Sequence, residues 1–289
     1  KGGSWISTGN EIIRSARYAF RRHFYQHAGF RYIASTAPIE TPDDRYEIDP
    51  EVTPYCELHY GNEYFGIENY PEKLAQMALN HAQGRPKGKA LNIGCKTGRS
   101  TFELAVEYEN VTGVDFTARM IRIGVELKEK GYTQYTLPEE GEIVSFHQQN
   151  LQELGLDASR PKVEFMQADI SNMKPLFNRY DLILLDMMLE NTYSPRKFLD
   201  RVHERINPSG LLIIASSYDW QDDRTDREHW LGGFKINGEN ATTLDQLSEL
   251  LGDRFTRISE PTEIQQVIRK TNRTFEHNAI QVTVWELDS

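Results

Sequence analysis

The twelve residues from Lys89 to Ser100 constrain the chain more than any other stretch. Ala90, Leu91 and Ile93 make a short apolar strand, Gly94 and Gly98 bracket a tight turn, and Thr101-Phe102-Glu103-Leu104-Ala105 continues as a helix. A second strand, Val111-Thr112-Gly113-Val114, closes on Asp115, twenty-one residues after Gly94. This order of strand, glycine turn, helix, strand and acid holds nucleotide-containing ligands in parallel α/β sheets. The glycines let the backbone approach the ligand, and the carboxylate accepts hydrogen bonds from ribose hydroxyls.

The alternation of strands and helices continues downstream. Asn69-Tyr70-Pro71-Glu72 starts a helix through Leu74, Met77, Ala78 and His81, and Thr117 is the expected cap of another, closed by Gly131. Residues 132–162 are longer than a helix-to-strand connection needs. They read as a specificity-bearing loop with a helical turn near Leu151. Val163–Ile170, Tyr180–Asp186 and Gly210–Ser217 are three further strands, the second nearly all apolar, as a central parallel strand should be. A helix with Pro195 in its first turn stops at Asn207-Pro208-Ser209-Gly210. Residues 218–241 form a polar, aromatic loop, Thr243 caps a last helix, and Ile264–Arg269 with Ala279–Leu287 make a terminal hairpin. The expected fold is α/β and Rossmann-like, a mostly parallel seven-stranded sheet ending in an antiparallel hairpin.

Charge narrows the partners. A net charge of −10 and a pI near 5.4 argue against a nucleic-acid partner, which needs a concentrated basic surface. The chain contains no apolar run long enough for a membrane helix. Two cysteines make no disulfide framework, so a reducing, cytoplasmic setting is expected. Cys56, His59 and Cys95 lack the spacing of a metal centre, and none is expected. With no initiator Met, the chain reads as an excerpt or a trimmed protein.

Two cofactor readings compete for the glycine turn. A dinucleotide site would want Gly-x-Gly-x-x-Gly, whereas this turn is Gly94-x-x-x-Gly98 and the chain ends in a hairpin. The turn, Asp115 and Asp169 at successive strand ends instead resemble class I S-adenosylmethionine-dependent methyltransferases. That resemblance implies S-adenosylmethionine as cofactor and S-adenosylhomocysteine as product. By position, it implies contacts from Asn92, Gly94, Cys95 and Gly98 in the turn, Asp115 on the ribose, Phe116, Asp169 and Ile170 around the adenine, and Asp186 and Met187 near the methyl. Two positions depart from the family: Asn92 stands where an acid is usual, and Lys96 is bulky for such a turn.

Over residues 55–287 the chain resembles a narrower family, the 5-thiohistidine (4-mercaptohistidine) N-methyltransferases of ovothiol biosynthesis. The likeness lies in Leu137-Pro138-Glu139-Glu140-Gly141, Val144-Ser145-Phe146-His147, His203–Pro208, Trp230-Leu231-Gly232-Gly233-Phe234 and Gln281–Trp285. Residues 1–36, with Gly2-Gly3-Ser4-Trp5 and Gly29-Phe30-Arg31, resemble the end of a formylglycine-generating-enzyme-like sulfoxide synthase. Residues 37–54 read as a linker, and 55–289 as the methyltransferase domain. The resemblance implies methylation of an imidazole nitrogen, with a sulfoxide synthase as partner or fused domain. Asp186, Glu190 and Asn191 are the candidate catalytic groups. Tyr55, Tyr60, Tyr64, Tyr193, Tyr218, Trp230, Phe234 and Arg269 are the candidate substrate contacts, and His59 and His277 are possible bases. Two alternatives stand beside it: a methyltransferase for another small amine, thiol or acid, and a non-catalytic accessory domain.

Overall fold

The computed structural model describes residues 45–288, so the segment read as the end of a synthase and the first part of the linker lie outside the described residues. The first helix, α1 (Thr53–Tyr60), begins two residues inside the stretch read as linker. Glu47 pairs with Tyr135 and ties the entering chain to the domain.

The central sheet has eight strands. Five are parallel, in the order β5 (Val163–Gln167), β2 (Asn110–Asp115), β1 (Lys89–Ile93), β6 (Tyr180–Asp186) and β7 (Ile206–Ser216). β12 (Phe275–Leu287) runs antiparallel to β7, and both β11 (Thr262–Arg269) and the short β10 (Phe255–Arg257) pair with β12. β10 is the strand beyond the expected seven: three residues carry too little pattern to be read from sequence.

The chain winds outward from β1 to β2 and β5, then returns to the other side of β1 for β6 and β7. The order reverses between β1 and β6, and in open α/β sheets the crevice at that reversal, beyond the carboxyl ends of the strands, is where ligands bind.

Both faces of the central parallel strands β1, β6 and β7 are buried, which explains their nearly unbroken apolar runs, whereas the edge strand β5 alternates. Leu182, Leu184, Leu211 and Ile213 join a core that includes residues of α1, α2 (Tyr70–His81) and α4 (Ala118–Lys130). Their alternates Ile183, Leu185, Leu212 and Ile214 join a second core with Phe198, Leu247 and Leu251. α2 starts where its side chains dictate: Asn69 accepts a hydrogen bond from the Glu72 N–H, and Pro71 sits in the first turn. α4 ends at Gly131 (φ +83), whose N–H caps Leu127.

Some expectations need correction. Residues 132–162 are mostly a hairpin of β3 (Tyr132–Glu140) and β4 (Ile143–Asn150), not a loop. Pro138 inside one strand and the half-exposed, polar character of the other hid the alternation. Thr117 precedes α4 without a side-chain cap; the Asp115 carboxylate takes its N–H instead. The cap of α6 (Thr243–Leu251) is Thr242, while Thr243 is buried and accepts a hydrogen bond from Trp220 Nε1. The helix holding Pro195 is only α5 (Pro195–Leu199), and β7 begins at Ile206, so Asn207–Gly210 lies within that strand. The aromatic loop also contains a small hairpin of β8 (Phe234–Ile236) and β9 (Glu239–Ala241).

Candidate active site

Close approach builds the turn between β1 and α3 (Arg99–Leu104). A Cβ on Gly94 would lie 2.2 Å from the Asp186 carbonyl oxygen and 2.7 Å from Met188 Cγ, so only glycine lets the turn lean on the end of β6. Gly94 and Gly98 both have positive φ, +83° and +102°, and a Cβ on Gly98 would lie 2.7 Å from the Phe165 ring. Between them Lys96 takes φ +48°, left-handed for a residue with a side chain. Met187 (φ +53°) after β6 and Tyr218 (φ +56°) after β7 share this conformation. Three neighbouring strand ends are thus held in sparsely populated backbone, a pattern that clusters at ligand sites.

Asp115 is 3% exposed. Its Oδ2 accepts the Lys96 backbone N–H at 3.1 Å and its Oδ1 the Thr117 N–H at 2.8 Å. A carboxylate has about four lone-pair sites, so Asp115 keeps acceptor capacity for ligand hydroxyls. Phe116 follows it, partly exposed, and the Asp115 carbonyl accepts the Ala168 N–H at the end of neighbouring β5. Asp169 there is exposed and accepts the Ser171 N–H at 2.9 Å, while Ile170 is buried. Phe116, Asp169 and Ile170 therefore follow the ends of two paired strands.

Asn92 is fully buried; its Nδ2 donates to Thr101 Oγ1 at 3.0 Å, and its Oδ1 has no partner among the described residues. An orphaned buried acceptor below a glycine turn is a place for a donor brought by a ligand or an ordered water. Together with the glycine contacts and the acid of β2, it makes the turn a fitting seat for a nucleoside cofactor. Cys95 is buried in the turn, and burial pushes its thiol well above the usual range, so it acts as an apolar side chain here.

Asp186 closes β6 at 4% exposure and accepts a hydrogen bond from the Tyr70 hydroxyl at 2.6 Å. Burial pushes its carboxyl up to about 7, against the opposing pull of the Tyr70 hydrogen bond and the Lys96 charge; Glu190 and Asp115 add to the rise. A carboxyl that titrates near neutrality can take a proton and release it. Tyr70 has no counterpart among the residues singled out from the sequence: it looked like the first residue of a helix, and nothing local announces a contact with a strand end.

The other two candidate catalytic groups have different jobs. Glu190 is wholly buried, and its carboxylate accepts from Ser216 Oγ, the Ser217 N–H and Ser217 Oγ at 2.8–2.9 Å. These bonds tie Glu190 to the end of β7 and the turn that follows it. Asn191 is exposed, donating to the Met187 carbonyl and accepting from Arg224.

The candidate substrate contacts fall into two groups. Beyond Ser216, where β7 stops pairing, β12 continues back to Phe275, so the β11–β12 tip overhangs the carboxyl edge of the sheet. There Tyr64 packs on Phe275 at 5.0 Å, and Arg269 pairs with Glu139 of β3 at 2.6 Å. Glu57, buried in α1, accepts from Tyr64 at 2.5 Å and from Tyr135 at 2.6 Å. Tyr55 is half-buried, and its ring faces the Lys96 ammonium at 5.7 Å. Tyr60 leaves the set: it is 2% exposed and its hydroxyl supports the turn through the Thr97 carbonyl at 2.8 Å.

In the second group, Tyr218 is half-buried and donates to Gln281 at 3.0 Å. Trp230 stacks on Trp220 at 6.1 Å and, with Phe234, walls a surface cleft. Tyr193 is 62% exposed against His229.

The two histidines named as possible bases lie in different surroundings. His59 is buried, its Nδ1 accepts the Arg99 N–H at 3.1 Å, and burial followed by the Arg99 and Lys96 charges drives it down to about 3. His277 is exposed on the overhanging end of β12 and contacts Gln265. Among the described residues, Asp226, Glu228 and His229 bring ligand-type atoms within 4.8 Å of one another, two of the three residues being exposed. No described helix is long and apolar enough to cross a membrane.

Solved structures to which the chain is similar include the N-methyltransferase NodS from Bradyrhizobium japonicum in complex with S-adenosylhomocysteine. It is 15% identical over 83% of this chain and 100% of its own, with a TM-score of 0.49. A putative S-adenosylmethionine-dependent methyltransferase from Listeria monocytogenes is 14% identical over 75% of this chain and 99% of its own, with a TM-score of 0.45. No curated protein sequence matches the chain. The family model described as methyltransferase domain matches residues 63–254, which span the glycine turn, the acids at the ends of β2, β5 and β6, and the parallel sheet. The chain belongs to the methyltransferase domain family.

Proposed function

We propose that this methyltransferase N-methylates the imidazole ring of 5-thiohistidine, and that a sulfoxide synthase resembling residues 1–36 supplies that substrate as a partner or fused domain. The sequence segments shared with thiohistidine methyltransferases support the substrate. The observation that carries the chemistry is Asp186: a buried carboxyl, titrating near neutrality, beside the glycine turn.

In this reading Asn92, Gly94, Cys95, Gly98 and Met187 hold the aminoacyl end of the cofactor, Asp115 the ribose, and Phe116, Asp169 and Ile170 the adenine. S-adenosylmethionine, when bound, supplies an electrophilic sulfonium methyl group. The chain has to align an imidazole nitrogen, keep its lone pair free and exclude water. Tyr70 holds Asp186 Oδ1, which leaves Oδ2 to accept the N–H proton that the second ring nitrogen gives up once the first has taken the methyl group. Tyr55, Tyr64 and Tyr218 wall the ring, and Arg269, shared with Glu139, offers guanidinium N–H groups to the substrate carboxylate.

The test is incubation of the protein with S-adenosylmethionine and 5-thiohistidine, read by mass spectrometry. A product heavier by one methyl group on a ring nitrogen is expected. Methylation of a different imidazole, amine or thiol, with thiohistidine untouched, would overturn the substrate while leaving the enzyme class in place.

A further inference from the structure

Lys96 is the residue at which the glycine turn departs most from a small, neutral cradle, and its surroundings give it a use. Two buried acids act on its charge, Asp115 and Asp186, each at most 4% exposed. Other cations at this edge are engaged by close partners. Arg99 pairs with Glu103 and Glu72 at 2.6 and 2.7 Å, Arg269 with Glu139 at 2.6 Å, and Arg224 with Asp219 at 2.7 Å. The Lys96 ammonium stands 3.7 Å from Asp115 Oδ2, beyond hydrogen-bond reach, and 5.7 Å from the Tyr55 ring centroid. Among the described residues it donates no hydrogen bond, and its side chain is 22% exposed. It thus has three N–H donors and a charge that the protein steers without saturating.

Its backbone adds a second observation. At φ +48° Lys96 occupies a conformation that glycine or asparagine adopts more easily. The turn is at the sheet's reversal point, with Gly94 against β6 and Lys96 against the acid of β2.

We infer that Lys96 is a cofactor-binding residue that takes the aminoacyl carboxylate of S-adenosylmethionine. The cofactor carries a single anionic group, and a crevice that holds these buried acids repels that group unless a cation meets it. In the free protein the ammonium is steadied by Asp115 and the Tyr55 ring. When the ribose hydroxyls take up the Asp115 oxygens, the ammonium turns to the carboxylate. The inference rests on the β1–α3 turn being the cofactor's seat.

Calorimetry with two ligands tests it: S-adenosylmethionine and its decarboxylated analogue, which differ by the carboxylate alone. The wild-type protein is expected to prefer the carboxylated ligand by about tenfold or more, the range of one charge-assisted hydrogen bond. In Lys96→Met that preference should collapse towards unity, with affinity for the analogue unchanged or improved, and Lys96→Arg should restore part of it. An unchanged ratio in Lys96→Met overturns the inference. So does an equal loss for both ligands, which would make Lys96 a support of the turn, or an equal gain, which would make it a competitor for Asp115. If the wild-type protein binds neither ligand, the seat itself is wrong.

Discussion

The Tyr70 hydroxyl and the Asp186 carboxylate, 116 residues apart, meet at 2.6 Å where the first turn of α2 crosses the end of β6. Both side chains are buried, so the bond joins the helical cover of the site to the strand that ends in it. It also opposes the burial that raises the Asp186 carboxyl.

That pairing makes pH a test. Burial raises the Asp186 carboxyl from 3.8 to about 7, so the folded chain holds a proton that the unfolded chain has lost. The stability contributed is complete below the unfolded value and disappears as pH rises through about 7. Asp186→Asn keeps an acceptor for Tyr70 and cannot ionise; it should melt several degrees higher than wild type at pH 8, with the gap closing at pH 4. A gap independent of pH would contradict the assignment. Methyl transfer by the wild type should rise through the same window, be lost in Asp186→Asn, and shift to higher pH in Tyr70→Phe, because the hydroxyl holds the carboxyl down.

Asp115 has an architectural and a ligand role, and substitution should separate them. Asp115→Ala strips partners from the Lys96 and Thr117 N–H groups and removes the acceptor proposed for the ribose. Affinity for S-adenosylhomocysteine, measured by calorimetry, should fall at least about tenfold, and stability by roughly 1–3 kcal/mol. Asp115→Asn should recover much of the stability and less of the affinity. Unaltered affinity in the alanine variant would remove Asp115 from the site.

Gly94 provides a steric test with an internal control. An alanine methyl there meets the Asp186 carbonyl oxygen at 2.2 Å in backbone of φ +83°, whereas one on Gly84 (φ +74°) meets nothing within 4 Å. Chemical denaturation should show Gly94→Ala costing more than about 2 kcal/mol and Gly84→Ala only about 1 kcal/mol. Equal costs would mean that the turn does not press on β6.

Glu190 should behave as a structural group. Glu190→Ala leaves Ser216, Ser217 and the end of β7 without their shared acceptor and should cost on the order of 3 kcal/mol in denaturant titrations. For the fraction that remains folded, the turnover number should change less than about threefold, since the three bonds removed all run to the end of β7 and the turn after it and none to a reacting group. A hundredfold loss of turnover at unchanged stability would return Glu190 to the chemistry.

The architecture, the glycine turn and the acids that follow it were legible in the sequence because local pattern governs them. Parallel strands buried on both faces must be apolar throughout, a backbone that presses on a neighbouring strand must be glycine, and an acid at a strand end lies at a fixed spacing from the turn before it. Gly94, Gly98, Asp115 and Asp169 could therefore be placed with no coordinates. Roles that depend on which side chains meet at a distance were decided by the tertiary structure alone. Glu190 and Asp186 look alike as acids near one strand end, yet three donors from β7 and the following turn hold the first, and one tyrosine from a remote helix leaves the second able to titrate. Lys96 reads as an oversized turn residue until the buried acids around it are known. Burial and partnership, not residue type, set the free energy of a charge, and neither is written in the local sequence.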